Sequence, residues 1–172
     1  MLNAAPRTTL GHFATRAGAL SAMLLLLTPG SLAQRGSAGP FDNFVGSWSG
    51  SGTVSLMNGA NERIRCQAAH ALGNNPNNLR STLRCASASY SFELNSDVNY
   101  RGGAISGAWR EASRNMAGFL SGSARPGELA ARIDSPGFSA SLTLATRGDR
   151  QSVTLQSQGT ELAGVTIALT RR

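Results

Sequence analysis

Between Arg63 and Cys85 the chain reads RIRCQAAHALGNNPNNLRSTLRC. Ile64, Cys66, Ala68, His70 and Leu72 fall on one side of this stretch, and Arg63, Arg65 and Gln67 on the other. That is the two-residue period of a β-strand with one covered face. Gly73-Asn74-Asn75-Pro76-Asn77-Asn78 is a run of turn formers. After it Leu79, Leu83 and Cys85 alternate with Arg80, Thr82 and Arg84. Folding the chain about the Asn75–Pro76 bond sets Leu72 opposite Leu79, Ala68 opposite Leu83, His70 opposite Ser81 and Cys66 opposite Cys85. A slip of one residue would turn a whole strand inside out, so the register is strongly specified. The two cysteines then lie close enough for a disulfide between Cys66 and Cys85. Arg63, Arg65, Arg80 and Arg84 share the opposite, solvated side as a basic face.

The same parity test extends from Phe41 to the C-terminus, with turn signals every eight to twelve residues. A first strand over about Phe44–Leu56 puts Phe44, Trp48, Val54 and Leu56 on one face. Later strands offer Tyr90, Phe92 and Leu94, then Ile105, Gly107 and Trp109, then Met116, Gly118, Leu120 and Gly122. A turn at Ser113-Arg114 sets Trp109 against Gly118, Gly107 against Leu120 and Ile105 against Gly122, so that each large group meets a small one. Pro126-Gly127 and Pro136-Gly137 suit type II turns, and Gly148-Asp149 suits a two-residue II′ hairpin turn. Further strands carry Leu129, Ala131 and Ile133; Ala140, Leu142 and Leu144; Val153 and Leu155; Val165, Ile167 and Leu169. About ten short strands with local connections and one apolar face each predict an up-and-down antiparallel β-barrel, because an open sheet would leave that face wet and two edges free. A two-sheet sandwich is the competing architecture. A membrane-crossing barrel is not expected: most strands look shorter than the ~9–11 residues such a barrel needs, and no aromatic girdles appear.

The chain has 172 residues, one domain's worth. Its 16 basic residues are all Arg, against 9 acids, for a formal net charge of +7. Charged residues at 15% exclude a coiled coil, and 41% hydrophobic residues exclude a charge-driven disordered chain. Residues 1–33 read as a secretory signal peptide: Arg7 and Arg16 without an acid, an apolar run from Ala17 to Leu27, then Ser31-Leu32-Ala33 with small residues before a cut near Ala33. Residues 34–40 read as a flexible N-terminal tail, and 41–172 as the barrel domain. Export to the periplasm or beyond is expected, where a disulfide persists.

The chemistry expected inside is sparse. His70 is the one histidine after the leader, with no triad around it. The chain has no Gly-x-Ser-x-Gly elbow, Cys-x-x-Cys pair, phosphate loop or metal-ligand spacing. No enzyme, metal or cofactor is expected, and nucleic acid is not an expected partner for an exported chain. Trp48, His70, Tyr90, Phe92 and Trp109 are the candidate ligand-lining residues, and Glu111, sharing Trp109's parity, is placed at a barrel rim. The expected role is binding, with a small apolar ligand or an acidic envelope component as partner; the oligomeric state stays open.

Gly46-Ser47-Trp48 near the start and Arg171-Arg172 at the end resemble the lipocalins and related calycins, in which a Gly-x-Trp opens the first strand and a late Arg packs on that Trp. The longer string Gly46-x-Trp48-x-Gly50-x-Gly52 is similar to the start of nitrobindin-type ten-stranded haem barrels. That family holds haem through a His late in the chain, whereas no His follows His70 here. Gly46-Ser47-Trp48, the cysteine pair and the tail from Gln34 also resemble bacterial periplasmic inhibitors of secreted metalloproteases. That likeness implies an alternative role as an inhibitor acting through the tail; a structural envelope protein is a third. Leu83-Arg84-Cys85-Ala86-Ser87 and Gly107-Ala108-Trp109-Arg110-Glu111 resemble an uncharacterised exported family of alpha-proteobacteria.

Overall fold

A computed structural model describes residues 39–89, 91–158 and 160–172. The leader at 1–33, tail residues 34–38 and Tyr90 lie outside the described residues. Ten antiparallel strands follow one another: β1 Gly46–Leu56, β2 Asn61–Leu72, β3 Asn78–Ala86, β4 Ser91–Arg101, β5 Ala104–Glu111, β6 Met116–Arg125, β7 Glu128–Ser135, β8 Phe138–Arg147, β9 Arg150–Gln158 and β10 Leu162–Arg171. Each pairs with its sequence neighbours, and β1 pairs with β10 to close a barrel. The architecture is the up-and-down barrel, not the sandwich.

The register is the one that parity dictates. Cys66 faces Cys85, His70 faces Ser81 and Leu72 faces Leu79, and the Cys66–Cys85 disulfide is formed. Trp109 faces Gly118, Gly107 faces Leu120 and Ile105 faces Gly122. Gly127 and Gly137 take φ of 79° and 72° at the third position of their turns, as type II requires. Gly148 takes φ of 61° while Asp149 stays at negative φ, which is the II′ pattern.

Two expectations change. Phe44 is not in the first strand; β1 begins at Gly46. Phe41–Phe44 form a turn that folds across the end of the barrel, and both rings are fully buried. The strands run 8 to 12 residues, so the argument from strand length against a membrane barrel does not hold. The faces themselves carry the distinction. Exposed outward positions include Arg63, Gln67, Ser121, Arg132, Thr143, Gln156 and Thr166, the inverse of a lipid-facing band. No helix among the described residues is long and apolar enough to cross a membrane.

The two ends of the barrel differ because of that N-terminal turn. Phe41 packs edge-on against Tyr100 with ring centroids 6.1 Å apart. Around the pair sit Leu79, Val98, Ile105, Leu129 and Leu144, all buried. Three polar contacts hold the plug. Trp48 Nε1–H donates to the Phe44 carbonyl at 2.9 Å. The Arg171 guanidinium donates to the Val45 carbonyl and, at 3.0 Å, to that of Asn43. The same guanidinium lies 4.1 Å over the Trp48 ring, a cation–π contact.

Candidate functional site

Along β4 the inward residues change character. Phe92, Leu94 and Ser96 are half-buried, while Val98, two residues nearer the plug, is buried. On the opposite wall Val153 and Leu155 are half-buried and Gln151 is buried. The barrel is therefore filled next to the plug, and beyond it a hollow opens beside a second packed cluster that includes Val54, Ile64, Cys66 and Cys85. The hollow is a cavity of about 510 Å³, within the size range of small-molecule sites. Its walls are mostly apolar, including Leu83, Phe92, Leu94, Trp109, Phe138 and Leu155, and its mouth is ringed by Glu111, Arg114, Thr160 and Glu161.

A polar chain crosses the barrel at the cavity floor. Ser81 Oγ lies 2.8 Å from His70 Nδ1, His70 Nε2 lies 3.0 Å from Gln151 Oε1, and Gln151 Nε2–H donates to Thr146 Oγ1 at 3.0 Å. With its NH₂ so used, Gln151 offers His70 only an acceptor, so the proton of the neutral imidazole sits on Nε2. Burial pushes the His70 pKa down; the Gln151 contact works against this and the Arg171 charge adds to it, leaving the ring below its usual value.

At the mouth, Glu111 is buried on its own loop. Its carboxylate accepts the backbone N–H of Ser113 at 3.0 Å, of Arg114 at 2.6 Å and of Glu93 at 3.1 Å, and an Arg114 nitrogen lies 4.0 Å away. Burial works to raise its pKa, but these N–H donors together outweigh it and hold the carboxyl below the ordinary range. Glu111 thus organises the turn between β5 and β6 as well as edging the mouth.

Three of the five candidate lining residues, His70, Phe92 and Trp109, come together on the cavity wall. Trp48 does not: it points inward but belongs to the plugged end, its Nε1–H bonded to the Phe44 carbonyl and its ring under Arg171, so it clamps the plug and does not line the cavity. Parity tells inside from outside and is blind to depth along the barrel. Gln151, Ser96 and Thr146 were missed. The signal for Gln151 was present: it shares the parity of Val153 and Leu155 and is a polar residue at a core position. The basic face is also less basic than its sequence. Arg80 pairs with Asp97 at 3.3 Å and Arg84 with Glu93 at 3.0 Å, each across the β3–β4 ladder. Arg63 and Arg65 have no ion pair among the described residues.

Haem ligation of the nitrobindin kind does not fit these residues. Both ring nitrogens of His70 are engaged in the floor chain, and β3 to β10 carry no histidine.

No protein-family model matches the chain, and a search of curated proteins finds no match. Solved structures do match. The chain is similar to Rv2717c from M. tuberculosis, with a TM-score of 0.62 at 14% identity over 77% of this chain and 94% of that one. It is also similar to the S-type phycobiliprotein lyase CPES from Guillardia theta, with a TM-score of 0.53 at 10% identity over 77% and 90% of the two chains. At such identities the likeness speaks for the fold alone. By fold, the chain is a ten-stranded antiparallel up-and-down barrel, plugged at one end and hollowed toward the other.

Proposed function

We propose that this protein is a non-enzymatic exported binding protein that takes up a small apolar ligand through the unplugged end of its barrel. The observation that carries the reading is the 510 Å³ cavity, apolar along its walls and polar only at floor and rim. Burying the apolar body of a ligand there removes surface from water at roughly 25 cal/mol per Å². The Cys66–Cys85 disulfide supports an oxidising destination. Residues 1–33 supply the export signal and cleavage falls near Ala33, which N-terminal sequencing of the mature protein tests.

The Ser81–His70 contact has the form of a nucleophile beside a base. Against catalysis stands the lack of an oxyanion site: the peptide N–H groups around Ser81 belong to the β2–β3 and β3–β4 ladders. Incubation with p-nitrophenyl esters is expected to give no turnover above that of a Ser81→Ala variant.

The binding reading is tested by native mass spectrometry and by quenching of Trp109 fluorescence with an apolar dye. One-to-one uptake that is lost on filling the hollow, as in Leu94→Trp, supports it. A protein that takes up no apolar probe refutes it. Assaying the organism's secreted proteases with and without residues 34–40 separates binding from the inhibitor alternative.

A further inference from the structure

Away from its rim the cavity is apolar except for Gln151 and one row of residues. His70, Ser81, Ser96 and Trp109 are successive Cα partners across β2, β3, β4 and β5, and all four line the cavity. At β2 to β4 the row lies near the cavity floor, and at Trp109 it climbs the wall toward Glu111. One inward step toward the plug, Leu79 and Val98 are buried; one step toward the mouth, Leu83 and Leu94 are half-buried.

Proton positions along the row follow from the donors and acceptors available. Gln151 fixes the His70 proton on Nε2, so Nδ1 is an acceptor and the Ser81 hydroxyl donates to it at 2.8 Å. The Ser81 proton is thereby committed, and its oxygen keeps an accepting lone pair. Ser96 is half-buried, and its hydroxyl has no hydrogen-bond partner among the described residues. It offers both a donor and an acceptor. The two side chains stand on directly opposed residues of an antiparallel pair, where Cβ atoms lie about 4.5–5.5 Å apart, so one small group of a ligand reaches both.

A hydroxyl matches this pair: it donates to Ser81 Oγ and accepts from Ser96 Oγ–H. A carboxylate only accepts; of the facing pair it finds one free donor, Ser96 Oγ–H, while the row's other unpartnered donor, Trp109 Nε1–H, is itself buried away from the cavity surface. The cations do not make up the difference. Arg114 sits at the mouth beside Glu111, and the Arg171 guanidinium is turned to the plug carbonyls and Trp48.

We propose that Ser81 and Ser96 form a head-group subsite that selects an uncharged hydroxyl at the inner end of the ligand, with the apolar body running toward the mouth. This rests on the reading of the cavity as a ligand site and adds the chemistry of the ligand to it.

The test is displacement of an apolar fluorophore from the protein by 1-dodecanol and by dodecanoate at pH 8, which share one tail. The alcohol is expected to bind on the order of tenfold more tightly, the worth of about one well-made hydrogen bond. Ser96→Ala, which leaves the floor chain intact, is expected to erase most of that preference, with a thermal melt confirming that the variant is folded. Equal binding of the two tails, tighter binding of dodecanoate, or a preference untouched by Ser96→Ala overturns the subsite and leaves the binding role standing. Failure of fluorophore, alcohol and carboxylate alike overturns both.

Discussion

Gly118 is where the closeness of the barrel strands can be measured by a single methyl group. It lies on β6 opposite Trp109 of β5, and its φ is not in the left-handed region, so alanine is free to adopt its backbone conformation. Space is the obstacle. A methyl built on Gly118 overlaps the Asp134 carbonyl oxygen of β7 outright and comes within 2.9 Å of Trp109 Nε1. The carbonyl belongs to a sheet backbone and has no rotamer to change, so β6 and β7 must separate. Overpacking of this kind costs about 1–3 kcal/mol, and the rigidity of both partners puts Gly118→Ala near the upper end. For a domain of this size each kcal/mol moves Tm by about 3–5 °C, so a fall of about 10 °C is expected. Gly137→Ala is the control with the opposite defect: φ is 72° but nothing lies within 4 Å of the added methyl. Its cost is only the left-handed backbone penalty of about 1–2 kcal/mol. Differential scanning calorimetry with Trp fluorescence decides the matter. If Gly118→Ala melts at or above Gly137→Ala with unchanged Trp emission, close strand approach is not what Gly118 serves, and the large-against-small logic of the β5–β6 pair is wrong.

Arg171→Ala removes two plug hydrogen bonds and the ring contact with Trp48; hydrogen exchange over residues 39–46 is expected to quicken at least tenfold while strands far from the plug change little. His70 has a lowered pKa in the folded protein, so below pH about 6.5 the unfolded chain takes up the proton first, and stability falls with pH by up to about 1.4 kcal/mol per unit until the folded ring titrates. A His70→Gln variant is expected to flatten the urea-midpoint profile between pH 7 and 5, and an equal slope in both proteins would rule the group out. Replacing both cysteines by serine opens the loop between residues separated by 19 positions. The chain-entropy model puts the loss at about 3 kcal/mol, to be read as a lower urea midpoint; an unchanged midpoint would mean that the β2–β3 hairpin is equally confined without the bond.

Register was legible because it depends on one bit per residue. Inside or outside alternates along a strand, and a hairpin turn fixes the partner strand, so Cys66–Cys85, His70–Ser81 and Trp109–Gly118 follow from local text. What the cavity needs is of another kind. Whether an inward position is filled depends on the summed volume of ten strands at one height, and periodicity carries no height. Trp48 and Trp109 have the same inward parity, yet one is buried in the clamp and the other edges the hollow. The salt bridges Arg80–Asp97 and Arg84–Glu93 were hidden for a related reason: they join β3 to β4, and the sequence between those strands carries no register-fixing turn motif.

Depth is set instead by a segment that belongs to no strand. Phe41 and Phe44 lie ahead of β1 and carry two aromatic rings into one end of the cylinder, where Leu79, Val98 and Leu129 close on them. At the other end Phe92, Leu94, Phe138 and Leu155 point inward, meet no such insert and stay half-buried. A strand pattern alone describes a uniform barrel; the plug makes it polar along its axis. That asymmetry also explains where the floor chain sits. His70, Gln151 and Thr146 lie at the boundary between the filled and hollow parts, where a wholly apolar layer would leave no group to fix an incoming ligand's depth. A chain of four side chains, each satisfied by the next, lets the boundary be polar without an unpaired buried charge. What is left facing the hollow is the small residue of that bonding, one lone pair on Ser81 and the free hydroxyl of Ser96.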